Sequence, residues 1–562
     1  MNDRMQIKCA AIQSFNFALI KLAKHFCATF ALTCDMHGQR SELGAKPEQT
    51  TKSEHMNYCA YSQHIEQQSE APLLPDLPDL QAYDFSLSGS ATFTSILLVL
   101  WTLVIVYCSS LTGGYGQILS LKKSWNDLTT PHRSKINCIN YFRVAAILWV
   151  MVNHLGSEGR IDILERLPSA KVFKDSVHSH PFFGPLFGNS SLGVEIFLVL
   201  SGLLASRSWV RAENERVGKS FPRQLISFLI RRVLRLFPSV AFFIWIAQGP
   251  LTKNYLPRFW NTMISSCGWR GIASHLVFVN NWQSSPTCLG YLWYLGLDMQ
   301  MYAIAPILLF ALSAKPKLGA QVLLVLIAVS SGLRAVWCRR YSICNQSDVD
   351  IPFISYPNQT ETDLKEIYEG LWDIYSRPCT KAGPFFIGLL AGFATTTSKF
   401  HVAPAVRTIL NRLSIVGCAF CIFGILPEYW YPDAGTTLYN TAYTAVFRSL
   451  FAACISWQII YLVNWRQVPD SNFFSILAKL TFQAYLLHMP VVYLFNNSLF
   501  LQHAQGPWPV LFLLPVLALL SYAAAFALFM LVESPIARVT TKFHAWLVLF
   551  IDSKFVTVTK NE

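Results

Sequence analysis

Apolar runs of about 20 residues recur along this 562-residue chain from residue 91 to residue 532. At 1.5 Å per residue, a helical run of that length crosses about 30 Å of hydrocarbon. Lipid offers the backbone no hydrogen-bond partners, so lone spans of this kind must be helices. Eleven are expected, near 91–111, 139–156, 189–206, 233–250, 291–312, 319–337, 384–398, 411–427, 440–463, 476–496 and 508–532. The chain therefore reads as an all-α, polytopic, integral membrane protein of about eleven transmembrane helices. Only 14% of its residues are charged, against roughly 25% in a soluble domain. That is too few to cover several water-facing domains. The net charge of +13 would suggest nucleic acid in a soluble protein. Here membrane orientation accounts for it, and membrane lipids rather than nucleic acid are the expected partners.

Four regions follow. Residues 1–90 are polar and include the linker-like stretch 71–84 and a short apolar run, Phe26 to Cys34, that resembles a signal segment. Residues 91–135 hold the first span and a basic linker, 136–540 the main membrane domain, and 541–562 a tail. Lys122, Lys123, Arg133 and Lys135 follow the first span, and Arg207, Arg211, Arg216, Lys219, Arg223, Arg231, Arg232 and Arg235 follow the third. Both linkers are expected in the cytosol, which puts the N-terminal region outside or in a lumen. The loop 338–383 then faces the lumen. It carries glycosylation sequons at Asn345 and Asn358, with Cys338, Cys344 and Cys379. Cys267 and Cys288 share the preceding outer loop. Two disulfides are expected there, with pairing left open.

Ionisable groups inside apolar spans cost roughly 2.5–3.5 kcal/mol on insertion and so mark buried polar sites. In the second span Arg143 and His154 are eleven residues, about three turns, apart and share one helix face, with Arg143 near the cytosolic end and His154 near the outer end. Glu195, early in the antiparallel third span, falls at a depth similar to that of His154. A carboxylate there would orient the imidazole as a general base. Ser201 lies nearly two turns deeper. The span from 291 places Tyr291, Tyr294, Asp298 and Gln300 in its outer part, with Tyr291 read as an interfacial aromatic. His488 is a second intramembrane imidazole. Arg231, Arg232 and Arg235 stand at the foot of the fourth span, where guanidinium forks suit phosphate oxygens. Glu533 is a potential partner for one of them.

Several chemistries have no motif here. The chain has no P-loop, no G-x-S-x-G elbow and no H-x-x-x-x-D pair. Cys418 and Cys421 lie in an apolar span with no second pair, so no zinc or other metal site is expected. Gly388 and Gly392 read as a helix contact.

The segments FRVAAILWVMVNHLG, GVEIFLVLSGLLAS, RRVLRLFP, WYLGLDMQMYAIAP, FFIGLLAGF, LTFQAYLLHMP and LVESP, in this order over about 136–540, resemble the acyltransferase-3 family, and within it the animal nose-resistant-to-fluoxetine-like branch. The resemblance implies a ten-helix core, here preceded by one further span. It sets the family's membrane histidine and arginine on His154 and Arg143, its acidic position on Glu195 and its cytosolic arginines on Arg231, Arg232 and Arg235. It further implies acyl transfer from cytosolic acyl-CoA, a co-substrate with no permanently bound cofactor, to a hydroxyl acceptor. Longer animal relatives carry a cysteine-rich lumenal region that is short here, with Cys34 and Cys59 its best counterparts. The expected sites are thus catalytic His154, Glu195 and Arg143, with substrate-binding Arg231, Arg232, Arg235, Ser201, Tyr294, Asp298, Gln300 and His488. The membrane is expected to be the plasma membrane or the endoplasmic reticulum. The competing expectation is a transporter of lipids or small hydrophobic compounds using the same polar path.

Overall fold

Every expected span coincides with a helix in the computed structural model, which describes residues 89–111, 118–130, 136–156, 180–212, 221–283, 288–341, 343–344, 370, 372–396, 402–425, 437–495 and 508–543. The long helices are α1 Gly89–Ser110, α2 Cys138–Gly156, α3 Leu192–Arg211, α4 Phe221–Gln248, α5 Trp293–Ala314, α6 Pro316–Arg340, α7 Gly383–Thr396, α8 Pro404–Phe423, α9 Thr437–Asn464, α10 Asn472–Phe495 and α11 Trp508–Leu528. Among the described residues there is no strand, and eight helices are long and apolar enough to cross a membrane. The protein is an all-α polytopic membrane protein. The N-terminal 88 residues, with Cys34 and Cys59, and the sequons Asn345 and Asn358 fall outside the described residues.

Local chemistry sets several boundaries. Proline opens α6 and α8, where its missing N–H costs nothing. Lys315 alone separates α5 from α6, so the two must run antiparallel. A π-helical turn, Phe529–Glu533, follows α11 and overlaps the LVESP segment, and the helix then resumes to residue 543.

Burial divides the bundle. The apolar window of α3 is 78% buried, whereas those of α1 and α8 are 11% buried. α3 is central, and α1 and α8 present side chains such as Val99, Leu103, Leu413 and Val416 outward, where lipid is the natural solvent. α7 lies along α3 at backbone contact. A methyl group on Gly388 or Gly392 would run into the carbonyl of Val199 or Leu203, and one on Gly202 into that of Phe385. The small-residue seam read from Gly388 and Gly392 is therefore a helix contact, as in other membrane bundles.

The two ends of the bundle differ chemically. At one end the short helix Leu121–Thr129 after α1 is tied down by Arg538, which donates to Asp127 Oδ2 at 2.5 Å and Ser124 Oγ at 2.9 Å. Lys479 caps the same helix, donating to the carbonyls of Asp127, Leu128 and Thr130 at 2.8–2.9 Å. At the other end two disulfides close, Cys267–Cys288 and Cys338–Cys344, while Cys379 has no disulfide partner among the described residues. The basic end is called inner below and the disulfide end outer.

Candidate active site

The outer half of the bundle brings two imidazoles together. His154, in the last turn of α2, and His488, on α10, hold their rings 4.9 Å apart with 48° between planes. Both are buried, at 8% and 0% exposure. His488 Nδ1 lies 2.7 Å from the Tyr485 carbonyl. A carbonyl only accepts, so Nδ1 carries the hydrogen and the neutral ring keeps its lone pair on Nε2. Tyr291 meets His488 edge-on at 5.5 Å. It is buried, not interfacial: its hydroxyl donates to the Leu486 carbonyl at 2.9 Å, and Tyr485 donates to its own carbonyl at 2.5 Å.

A polar seam runs inward from this pair. The Tyr485 ring stands 5.8 Å from His488 and 6.0 Å from Tyr294. The Tyr294 phenol is within electrostatic reach of Asp298, Arg232 and Arg143. Asp298 accepts from Ser201 and is ion-paired with Arg232, whose guanidinium also lies 4.4 Å from the centre of the Tyr302 ring. Helices α3, α4 and α5 thus meet at one knot made of Ser201, Arg232 and Asp298.

Arg232 lines a cleft of about 240 Å³ at the inner side. Arg223, Arg231 and Arg235 also line it, with Trp209, Phe228 and Tyr302 as apolar walls, and no acidic residue lines it among the described residues. The three arginines read from sequence therefore converge on one cavity, joined by Arg223. Arg143 is in electrostatic reach of Arg232 and Arg235, and Glu533 of Arg235.

Two expectations need revision. Glu195 is held elsewhere than on His154: its Oε1 is ion-paired with Lys381 at 2.5 Å and accepts from Arg448 at 2.7 Å, in a buried cluster that also feels Arg334. The carboxylate's charge is taken up by cations that the sequence reading passes over. Arg448 and Arg334 sit inside apolar spans and meet the same criterion that picks out Arg143; Lys381, in a loop, does not. Gln300 faces the outer loop. Its Nε2 donates to Phe278 O at 3.0 Å and Asn281 Oδ1 at 2.7 Å, and its Oε1 accepts from Trp282 at 2.9 Å. Its polar atoms brace that loop.

Residues 136–530 match the model of the acyltransferase-3 family, described as an acyltransferase domain. The chain belongs to the acyltransferase-3 family. Among the relatives of this family member is a Caenorhabditis elegans protein named regulator of hypoxia-inducible factor 1, 52% identical over 447 residues, which are 79% of this chain and 88% of that protein. Another is nose resistant to fluoxetine protein 6 of the same animal, 23% identical over 407 residues, which are 65% of this chain and 46% of that one. No solved structure matches. The family membership makes the bundle a membrane acyltransferase domain.

Proposed function

We propose that the protein moves an acyl group from acyl-CoA, bound from the inner side, to a hydroxyl acceptor in the outer half of the membrane. The observation that carries this reading is the cleft lined by four arginines and, among the described residues, no acid, continued outward through Asp298, Tyr294 and Tyr485 to the two histidines. A donor with several phosphates is recognised by planar guanidinium forks. Acyl transfer needs a base for the acceptor hydroxyl, and an imidazole is the side chain suited to that task near neutral pH.

In this mechanism Arg223, Arg231, Arg232 and Arg235 neutralise the donor phosphates, and Arg143 adds positive potential where the thioester arm passes. His154 removes the hydroxyl proton as the acceptor oxygen attacks the thioester carbon. The carbon–sulfur bond then breaks, and the CoA thiolate leaves with a proton. The ion cluster of Glu195, Lys381 and Arg448 fixes α3 against α9 beside this path. Purified protein incubated with labelled acetyl-CoA and vesicles of native membrane lipid tests the reading. Label in an ester fraction is the expected result. Lipid movement across the vesicle membrane with no ester formed would assign the path to transport instead.

A further inference from the structure

Beyond the single base invoked above, His488 has a geometry suited to receiving a proton. Its Nδ1–H is committed to the Tyr485 carbonyl at 2.7 Å. Its lone pair therefore sits on Nε2, which is fully buried and has no hydrogen-bond partner among the described residues. The ring cannot easily turn to exchange these roles. Tyr291 stands edge-on against it at 5.5 Å, and Tyr291 is itself tied at both ends, by its hydroxyl to Leu486 and through its carbonyl to Tyr485. The ring that faces His488 from the neighbouring helix is His154, 4.9 Å away.

We propose that His488 is the relay partner of His154, taking on Nε2 the proton that His154 removes from the acceptor hydroxyl. The inference rests on the acyl-transfer reading. An imidazolium isolated in an apolar interior is costly. A second imidazole whose lone pair is already fixed lowers that cost by letting two rings share one proton. The step balances. The acceptor O–H bond breaks, its oxygen bonds to the acyl carbon, the carbon–sulfur bond breaks, and the shared proton passes to the departing CoA sulfur. Both imidazoles end neutral, ready for another cycle. His488 acts through His154 and is in that sense a positioning residue.

The test uses full-length purified protein, labelled acetyl-CoA and native lipid vesicles, reading label in ester. His488→Ala leaves a ring-sized hole, and the expected transfer rate falls by about 10²-fold while CoA binding is kept. Added imidazole should restore the rate, and 1,2,4-triazole, similar in size but a weaker base, should restore much less. Equal restoration by both azoles, or a wild-type rate without either, overturns the relay and leaves His488 as packing. His488→Asn guards against misfolding, because its amide can still donate to the Tyr485 carbonyl. It should remain folded and be as slow as the alanine variant, and a fast asparagine variant also overturns the proposal. Wild-type protein that transfers no label sinks the acyl-CoA reading itself, a result distinct from any difference among the variants.

Discussion

Lys381 and Glu195, each without exposed side-chain surface, meet at 2.5 Å, and the same carboxylate oxygen accepts from Arg448 at 2.7 Å. One anion thus stitches the segment before α7 and the middle of α9 to the start of α3. Breaking such a buried pair leaves an uncompensated charge and costs about 3–5 kcal/mol. Glu195→Gln is therefore expected to lose stability first and transfer only through it. Lowered melting in detergent, partly recovered in the Glu195→Gln/Lys381→Met double variant, is the expected readout. A Glu195→Gln protein that melts as wild type yet has lost all transfer would return Glu195 to the reacting centre.

His154→Gln puts an amide in place of the imidazole and removes the base that the proposed mechanism uses. The protein should reach the membrane in normal amount while acyl transfer falls by about 10²- to 10⁴-fold. Wild-type transfer by the purified variant would make the histidine structural.

The cleft arginines should not behave alike. Arg231 and Arg223 line the cavity, so Gln at either should weaken CoA binding and leave melting unchanged. Arg232 also holds Asp298, which is 1% exposed. Arg232→Gln should therefore weaken binding and also lower the melting temperature, with Asp298→Asn repairing only the melting. Calorimetric titration with CoA beside thermal melts separates the two effects. Identical behaviour of all three arginines would favour a simple anchoring role at the membrane surface.

Acid should loosen the outer loop between α4 and α5. His275, 3% exposed on the short helix Trp269–Leu276, donates from Nε2 to the Cys288 carbonyl at 2.9 Å, and burial pushes its imidazole down to about 4 from 6.5. Between these values the unfolded loop binds a proton that the folded loop refuses, so stability falls as pH drops through that window. At pH 5 the loss is about 2 kcal/mol. Faster amide exchange in residues 269–283 at pH 5 than at pH 7, after correction for intrinsic rates, is expected. His275→Gln should flatten the dependence.

Sidedness has its own check. If the disulfide end is lumenal, Asn345 or Asn358 carries glycan and a glycosidase shifts the protein on a gel. Access to that loop from the cytosol alone would reverse every inner and outer assignment.

The helices were legible in sequence because length and apolarity suffice to place one in lipid: all eleven expected segments coincide with helices, of which eight, among the described residues, are long and apolar enough to cross a membrane. The arginines in the middle of α4 and the two histidines were legible for the complementary reason, since charge in an apolar run is rarely idle. Partners were not legible. Glu195 and His154 fall at similar depths on adjacent helices, and depth alone cannot tell which face of α3 carries the carboxylate toward α9 and Lys381. Gln300 and Tyr291 went astray likewise. One braces residues 278–282 and the other packs on α10, contacts set by tertiary arrangement with no trace in local pattern.

The glycine seam between α3 and α7 bears on how anything could move here. Backbones in direct contact at Gly202, Gly388 and Gly392 interlock like teeth, and sliding one helix by a fraction of a turn would drive carbonyls into Cα atoms. α3 carries both Glu195 and Ser201, so the central element of the site is clamped rather than hinged. Alternating-access carriers rock one part of the bundle against another around a fixed site, and such a stroke would have to spare this joint. Under the acyl-transfer reading proposed above, a stationary scaffold instead requires the reactants to travel, the donor's thioester arm threading outward from the arginine cleft while the acceptor approaches from the opposite leaflet.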